Sequence, residues 1–275
     1  MLLLAPSASA SAQTHTVAYS SQYNNPALHS TAVLVVDQAN GGTVVSKNSY
    51  LVRPIASITK LMTAMVVLES GLDMQEVIRI TDADVDHIHG SRSRLPVGAT
   101  LTRKTALLLS LMSSDNRAAH TLGRNYPGGV TAFAVAMNRK ANALGMYSTF
   151  FEEPTGLSQH NTSTARDLAK MVSAANTFKQ IRDATTVFEV QVSLGKNRTI
   201  ATYRNTNALV GNSNWRIGVS KTGYTRAAGR CLVMQAVVNN RPMVIVLLDA
   251  SGKSKRIGDI RRIRDWIERG NATFG

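Results

Sequence analysis

The sequence predicts an α/β protein of the α+β type: a mainly antiparallel sheet covered by helices, with an inserted helical lobe. Strand-like segments occur towards both ends of the chain, while helical apolar spacing fills the middle. The run VIVLL at 244–248 is apolar enough that helices should cover both faces of the sheet. We expect one domain over residues 13–275, with an α/β lobe from 26–56 and 185–275 and a helical lobe from 57–184.

The first elements are a predicted β-hairpin followed by a set of helices. Residues 32–37 (AVLVVD) and 43–46 (TVVS) have strand character, and Gln-Ala-Asn-Gly-Gly between them is a turn sequence. Apolar residues then recur at helical spacing, with few helix breakers, over 58–69, 102–112, 116–125, 130–144 and 164–176.

The last elements are three predicted strands and a helix. The strands are the apolar runs 215–221, 231–238 and 242–249, and Asn239-Asn240-Arg241 is a plausible tight turn between the last two. The closing helix, 254–268, carries four isoleucines on one face. We interpret this face as a cover for the sheet in preference to a membrane-surface helix, although the helix is rich in basic residues.

Composition excludes several classes of protein. With 275 residues and 44% apolar content, the chain is not intrinsically disordered, and a lone cysteine, Cys231, excludes a disulfide scaffold. Thirty-one basic against 17 acidic residues give a net charge of +14, which predicts attraction to nucleic acid, anionic lipid or an anionic cell wall. Aromatic content of 5%, scattered basic residues and the lack of a nucleic-acid motif disfavour a nucleic-acid partner.

Two apolar segments bear on targeting. Residues 1–12 (MLLLAPSASASA) look like the remnant of a secretory signal with its cleavage site, although no positive charge precedes the apolar part. The alternative is an N-terminal extension without a targeting role. The apolar run 61–68 is far shorter than the ~20 residues that span a bilayer, so no transmembrane segment is expected.

Ser57 and Lys60 form an S-x-x-K pattern at the start of an apolar helix. Residues three apart share a helix face, so the lysine can take the proton that makes the serine hydroxyl nucleophilic. Burial would lower the pKa of such a lysine. The pattern alone is weak, because about one match is expected by chance and Ser193 begins a second one in a strand-like stretch. An ordinary helix N-cap is the alternative for Ser57.

Two further patterns could line the same cleft. Ser114-Asp115-Asn116 lies between two predicted helices, where the hydroxyl can relay a proton and the amide can hold a substrate carbonyl. Lys221-Thr222-Gly223 ends an apolar run. There the lysine can bind an anion and lower the pKa of a neighbouring lysine, and the glycine lets a substrate backbone lie close. Taken alone, the first pattern could be a helix cap and the second a turn at the end of a strand.

In this order and setting, the three motifs are the signature of penicillin-binding proteins and class A β-lactamases. The chain resembles the D-alanyl-D-alanine endopeptidases over residues 30–268; these are low-molecular-mass penicillin-binding proteins of the serine D,D-peptidase and β-lactamase superfamily. The similarity is carried by the segments SRSRLPVGATL, LMSSDNRAAHTLGRNYPGG, AMNRKANALGM, EEPTGLSQHNTSTARDLAKMV and VSKTGYTRAAGRCLVM.

The resemblance implies a penicillin-binding transpeptidase-like fold and a serine acyl-enzyme mechanism without a cofactor. It implies that Ser57 is the nucleophile, Lys60 its base and Ser114 a proton relay. Substrate binding is implied for Asn116, for Lys221, Thr222 and Gly223 at the terminal carboxylate, and for Tyr224, whose backbone N–H would share the oxyanion hole with that of Ser57. The implied partners are cross-linked peptidoglycan peptides, with β-lactams as covalent inhibitors. The signal-like leader predicts secretion to the periplasm, and the net charge of +14 fits peripheral association with the anionic envelope.

Neighbouring interpretations stay open. A class A β-lactamase uses a glutamate in an E-x-x-L-N loop, but here Glu153 is followed by Pro-Thr-Gly-Leu. A D-alanyl-D-alanine carboxypeptidase shares the chemistry, and a non-catalytic β-lactam sensor can retain the motifs. No metal is expected, because His87 and His89, beside Asp82, Asp84 and Asp86, are more simply part of a solvated acidic turn.

Overall fold

The computed structural model describes residues 26–88, 90–194, 199–252 and 254–272. The signal-like segment predicted at residues 1–12 lies outside the described residues. The strands are β1 (Ser30–Asp37), β2 (Thr43–Lys47), β3 (Arg53–Pro54), β4 (Val77–Arg79), β5 (Thr100–Thr102), β6 (Thr162–Ser163), β7 (Glu189–Leu194), β8 (Thr199–Arg204), β9 (Arg216–Thr225), β10 (Gly229–Val238) and β11 (Arg241–Ala250). The helices are α1 (Lys60–Glu69), α2 (Arg103–Met112), α3 (Asn116–Arg124), α4 (Gly129–Ala143), α5 (Ala165–Ala175), α6 (Lys179–Thr186) and α7 (Lys255–Glu268), with 3-10 turns at Ala56–Thr59 and Asp82–Asp84.

A five-stranded antiparallel sheet lies at the centre of the fold, in the order β2-β1-β11-β10-β9. The first and last strands of the chain are neighbours in it, with Val35 opposite Ile245. Asn239 and Asn240 both have positive φ angles, 49° and 58°, as a two-residue type I′ hairpin requires. The predicted first hairpin and the predicted β10–β11 turn are therefore confirmed.

Both faces of the sheet are covered, as its apolar strands predict. On β1, Ala32 and Leu34 contribute to the larger core, which α1 and α5 also build, whereas Val33 and Val35 point into a smaller core on the other face. The isoleucine face of α7 closes that smaller core, where Ile260, Ile263 and Ile267 are fully buried and Ile257 is partly so. The apolar face of α7 is thus a cover for the sheet, and this prediction is confirmed.

The structure differs from the sequence prediction at strand β9, at helix α6 and at strands β3 to β8, which were not predicted. Strand β9 continues to Thr225, four residues past the predicted end, because its pairing with β10 reaches Thr225 opposite Gly229. Lys221-Thr222-Gly223 therefore lies inside a strand and not at its end. The helix α6 and the hairpin of β7 with β8 were not predicted as elements, although Ser193 does lie in a strand. Lys196, its S-x-x-K partner, lies outside the described residues.

The apolar helix α1 is buried from Lys60 to Val67, as predicted. Within the part of the chain that the structure describes, no helix is long and apolar enough to cross a bilayer. The boundaries of the two lobes stay a prediction.

Candidate active site

Ser57 lies in the 3-10 turn Ala56–Thr59 that leads directly into the buried helix α1. The turn is fixed from both sides, since the Thr59 hydroxyl donates to the Ala56 carbonyl at 2.8 Å and the Ile55 N–H donates to the Asn161 carbonyl at 3.0 Å. Ser57 itself is half-buried, so its hydroxyl stays accessible while its backbone is held by the core.

Lys60 is fully buried, and its amine contacts three acceptors. Nζ donates to Ser57 Oγ at 2.9 Å, to Asn116 Oδ1 at 2.7 Å and to the Thr155 carbonyl at 2.6 Å. Burial lowers the pKa of Lys60 to about 8, although the charges of Glu153 and Asp115 act in the opposite direction. An amine with this pKa is partly neutral near physiological pH and lies within reach of the proton on Ser57 Oγ.

A second lysine, Lys221, contacts the same Ser114-Asp115-Asn116 turn. Lys221 is buried on β9, and its Nζ donates to Ser114 Oγ at 2.8 Å and to the Thr222 carbonyl at 2.9 Å. Its pKa is lowered well below the usual value, first by burial and then by the charge of Lys60. The expected repulsion between the two lysines is thus present, but it lowers the pKa of Lys221. The pKa of Lys60 is lowered by burial instead.

Ser114 occupies the turn between α2 and α3 with a positive φ of 61°, so the turn holds the residue in an unusual backbone conformation. The next residue, Asp115, caps α3 by accepting from the Ala118 N–H at 3.0 Å and is itself held by the Ser93 hydroxyl at 2.7 Å. The cap fixes the start of α3, which places Asn116 next to Lys60 and Ser114 next to Lys221.

Gly223 allows β9 to lie against the turn that carries Ser57. A Cβ atom added to Gly223 would lie 3.0 Å from the Ile55 carbonyl oxygen and 3.2 Å from the Ser57 nitrogen. The next residue, Tyr224, is 58% exposed, and the Arg230 guanidinium lies 4.4 Å from its ring centroid. The sharing of an oxyanion hole by the backbone N–H groups of Ser57 and Tyr224 stays a prediction, as do the roles of the individual site residues.

Sequence reasoning missed the loop 153–158 as part of the site. The Glu153 carboxylate accepts from the N–H groups of Thr155 and Gly156, both at 2.6 Å, and from Asn161 Nδ2 at 3.1 Å. These contacts hold the Thr155 carbonyl against Lys60. Glu153 is therefore engaged in the structure of its loop, which argues against a role as the hydrolytic base of a β-lactamase.

An open groove of about 1410 Å³ extends from Asn116 and Tyr224 along the loops near residues 83–91 and 152–160. His120, one turn after Asn116, lines it, and its Nδ1 lies 2.8 Å from Asp84 Oδ1. Asp84 is buried and also accepts from Arg124, so the interpretation of this stretch as a wholly solvated acidic turn was wrong for Asp84. Burial acts to raise the pKa of Asp84, but the hydrogen bonds from His120 and Arg124 prevail and lower it.

Over the described ranges, no group of three or more histidine, cysteine or acidic side chains could hold a metal ion. His89 lies outside the described residues. Cys231 is fully buried on β10, and burial raises the pKa of its thiol to about 11.

The covered antiparallel sheet and the paired Ser–Lys contacts place the molecule in the class of serine D,D-peptidases with the penicillin-binding fold. A family model for D-alanyl-D-alanine carboxypeptidases matches residues 19–252, and the chain belongs to this family. It is 48% identical to a D-alanyl-D-alanine endopeptidase of Pseudomonas aeruginosa, over 90% of this chain and 79% of the relative. It is 45% identical to a D-alanyl-D-alanine endopeptidase of Escherichia coli, over 90% of this chain and 80% of that relative.

Solved structures agree with this assignment. The Streptomyces K15 DD-transpeptidase superposes with a TM-score of 0.81 at 27% identity, over 88% of this chain and 98% of that one. A D-alanyl-D-alanine carboxypeptidase from Mycobacterium tuberculosis H37Rv superposes with a TM-score of 0.80 at 25% identity, over 91% and 96% of the two chains.

Proposed function

We propose that the protein is a serine D,D-endopeptidase that cleaves D-alanyl cross-links of peptidoglycan through an acyl-enzyme on Ser57. The observation that carries the proposal is the 2.9 Å contact between the buried amine of Lys60 and Ser57 Oγ. Identities of 48% and 45% to endopeptidases, against 29% and less to several carboxypeptidases, favour the cleavage of cross-links.

The reaction follows from the contacts in the cleft. Neutral Lys60 takes the proton of Ser57 Oγ, and the oxygen attacks the D-alanyl carbonyl carbon. Backbone N–H groups of Ser57 and Tyr224 stabilise the oxyanion. As the C–N bond breaks, the departing amine receives the proton that Lys60 took from Ser57, relayed by the Ser114 hydroxyl, and Lys60 is neutral again. Water then attacks the ester carbonyl, Lys60 takes a proton from the water, and this proton passes to Ser57 Oγ as the ester C–O bond breaks.

The residues around Ser57 bind the substrate and hold it in position. Asn116 holds a carbonyl of the acyl-donor peptide, and Lys221 with Thr222 binds the carboxylate on the leaving side. Gly223 has no side chain, so the substrate backbone can lie close against β9. A β-lactam presents a carbonyl and a carboxylate in the same relation, so we propose that it acylates Ser57 covalently.

We further propose a periplasmic location with peripheral association with the envelope. The substrate lies there, and a chain with a net charge of +14 is attracted to an anionic polymer without any nucleic-acid partner. A D-alanyl-D-alanine carboxypeptidase is the second candidate, because only the group that leaves after D-alanine differs.

The test is intact mass after incubation with benzylpenicillin, for wild type, Ser57→Ala and Ser193→Ala. Ser193 begins the other S-x-x-K pattern and lies exposed on β7, so it is a matched control. We expect a single adduct on wild type and on Ser193→Ala, lasting minutes or longer, and none on Ser57→Ala. Rapid drug hydrolysis without an adduct would indicate a β-lactamase. A labelled cross-linked muropeptide then separates cleavage of the cross-link from release of terminal D-alanine.

A further inference from the structure

A second groove, of about 740 Å³, lies between strands β1 and β2, the start of helix α5 and the segment 145–148. None of the proposed catalytic or substrate-binding residues lines it. Two tyrosines at this groove are unusually open to solvent, Tyr50 at 72% and Tyr147 at 82% exposure. Aromatic rings are normally buried on at least one side, so an exposed pair at a groove indicates a surface that binds a partner.

Each ring is paired with a cation on α5. The Arg166 guanidinium lies 4.3 Å from the Tyr50 ring centroid, and the Lys170 amine lies 6.0 Å from that of Tyr147. Arg166 and Lys170 are four residues apart, so they are neighbours on one helix face at a spacing of about 5–6 Å. Each cation therefore supports one ring, and both rings still leave surface open to solvent.

The groove is positively charged. Its one acidic residue, Asp167, is 5% exposed and accepts from the Ser148 N–H and the Thr149 hydroxyl, both at 2.9 Å, and from Lys170 at 3.3 Å. These hydrogen bonds to Asp167 hold the segment 145–149 against α5. Arg166 makes no ion pair within the described part of the chain, so its charge is available to an anionic ligand.

We propose that this groove binds the glycan strand of peptidoglycan, with the open tyrosine surfaces against sugar rings and Arg166 near carboxylates of the peptide stems. The inference rests on the proposed substrate. Flat apolar sugar faces match exposed aromatic rings, and the positive groove matches the anionic stems. For an enzyme that acts on an insoluble polymer, a second contact raises the effective concentration of cross-links at Ser57 without any change in its chemistry.

The experiment compares co-sedimentation with purified sacculi, with every protein in the Ser57→Ala background so that the polymer is not digested. We expect the double variant Tyr50→Ala/Tyr147→Ala to lose about tenfold or more in affinity, because both exposed rings that would contact sugars are removed. Phe188→Ala, which removes an exposed aromatic ring outside this groove, is the matched control and should bind as its parent does. Soluble glycan strands stripped of peptide should compete with sacculi for the parent protein and for Phe188→Ala, but not for the double variant.

The same tyrosine variants are also made with Ser57 intact, and their rate of acylation by benzylpenicillin should equal that of wild type. This rate shows that the variants are folded and reports on the proposed function separately. Unchanged sedimentation of the double variant would overturn the glycan proposal, as would competition by free peptide stems but not by stripped glycan. Loss of a dimer in the double variant, with sacculus binding intact, would identify the groove as a self-association surface instead.

Discussion

At the scale of single residues, the lysine next to the nucleophile determines when the site can react. Lys60 is fully buried, and burial lowers its pKa to about 8. In its protonated form the amine can donate to Ser57, Asn116 and Thr155 together, which orders the site but leaves no lone pair to accept a proton. Only the neutral form can act as a base. The protonated amine therefore orders the site, and the neutral amine activates Ser57.

We therefore expect the second-order rate of acylation by benzylpenicillin to rise with pH and to level off above about 8. The sign follows because the reactive form of Lys60 is the deprotonated one, and its fraction grows as the pH passes through the pKa. Stopped-flow acylation across this range measures the profile. Lys60→Arg, whose guanidinium stays protonated, should lose acylation by two orders of magnitude or more. A profile that is flat through pH 8 would remove Lys60 from the role of base.

At the scale of elements, the loop 153–158 is pressed against the 3-10 turn that carries Ser57. Gly156 has a φ of 81°, and a Cβ atom there would lie 2.0 Å from the Ala56 carbonyl oxygen. Gly156→Ala must therefore push the loop away from the turn, and with it the Thr155 carbonyl that holds Lys60. We expect a loss of stability of about 2–4 kcal/mol and acylation slowed at least tenfold, measured by urea unfolding and by intact mass.

Gly71→Ala is the matched control for this substitution. Gly71 has a similar φ of 71°, but a Cβ atom there would meet nothing within 4 Å. It should lose only the backbone strain of about 1 kcal/mol and keep the wild-type rate of acylation. Equal losses in the two variants would show that close contact with the nucleophile turn is not what requires glycine at 156.

The elements also show where sequence reasoning reaches its limit. Helices with dense apolar spacing were predicted almost to the residue, as α2 and the predicted 102–112 illustrate. Helix α6 was missed because Ile181 and Ala184 are the only apolar side chains in its eight residues. The Thr155 carbonyl had no sequence signal, since every residue supplies one. The burial of Asp84 depends on His120 and Arg124, 36 and 40 residues later, which only the fold brings near.

At the scale of the whole molecule, the two ends of the described chain are tied together through one carboxylate. Asp259 on α7 is fully buried and accepts from the His29 N–H at 3.0 Å, the Ser30 N–H at 2.8 Å and the Ser30 hydroxyl at 2.7 Å. Arg262 lies 3.5 Å from the same carboxylate. These bonds join the start of β1 to the helix that covers the smaller core, on the face of the sheet away from Ser57.

We expect Asp259→Ala to lower the free energy of unfolding by on the order of 3 kcal/mol, because the buried donors of Ser30 lose their acceptor. Asp265→Ala, an exposed acid on the same helix, should change stability by less than about 0.5 kcal/mol. Urea unfolding measures both. Well below the unfolding midpoint, Asp259→Ala should still be acylated by benzylpenicillin at the wild-type rate, since the nucleophile turn packs in the larger core. If acylation slowed in parallel with the loss of stability, the two faces of the sheet would not be energetically separate, and the closure of the chain would itself help to position Ser57.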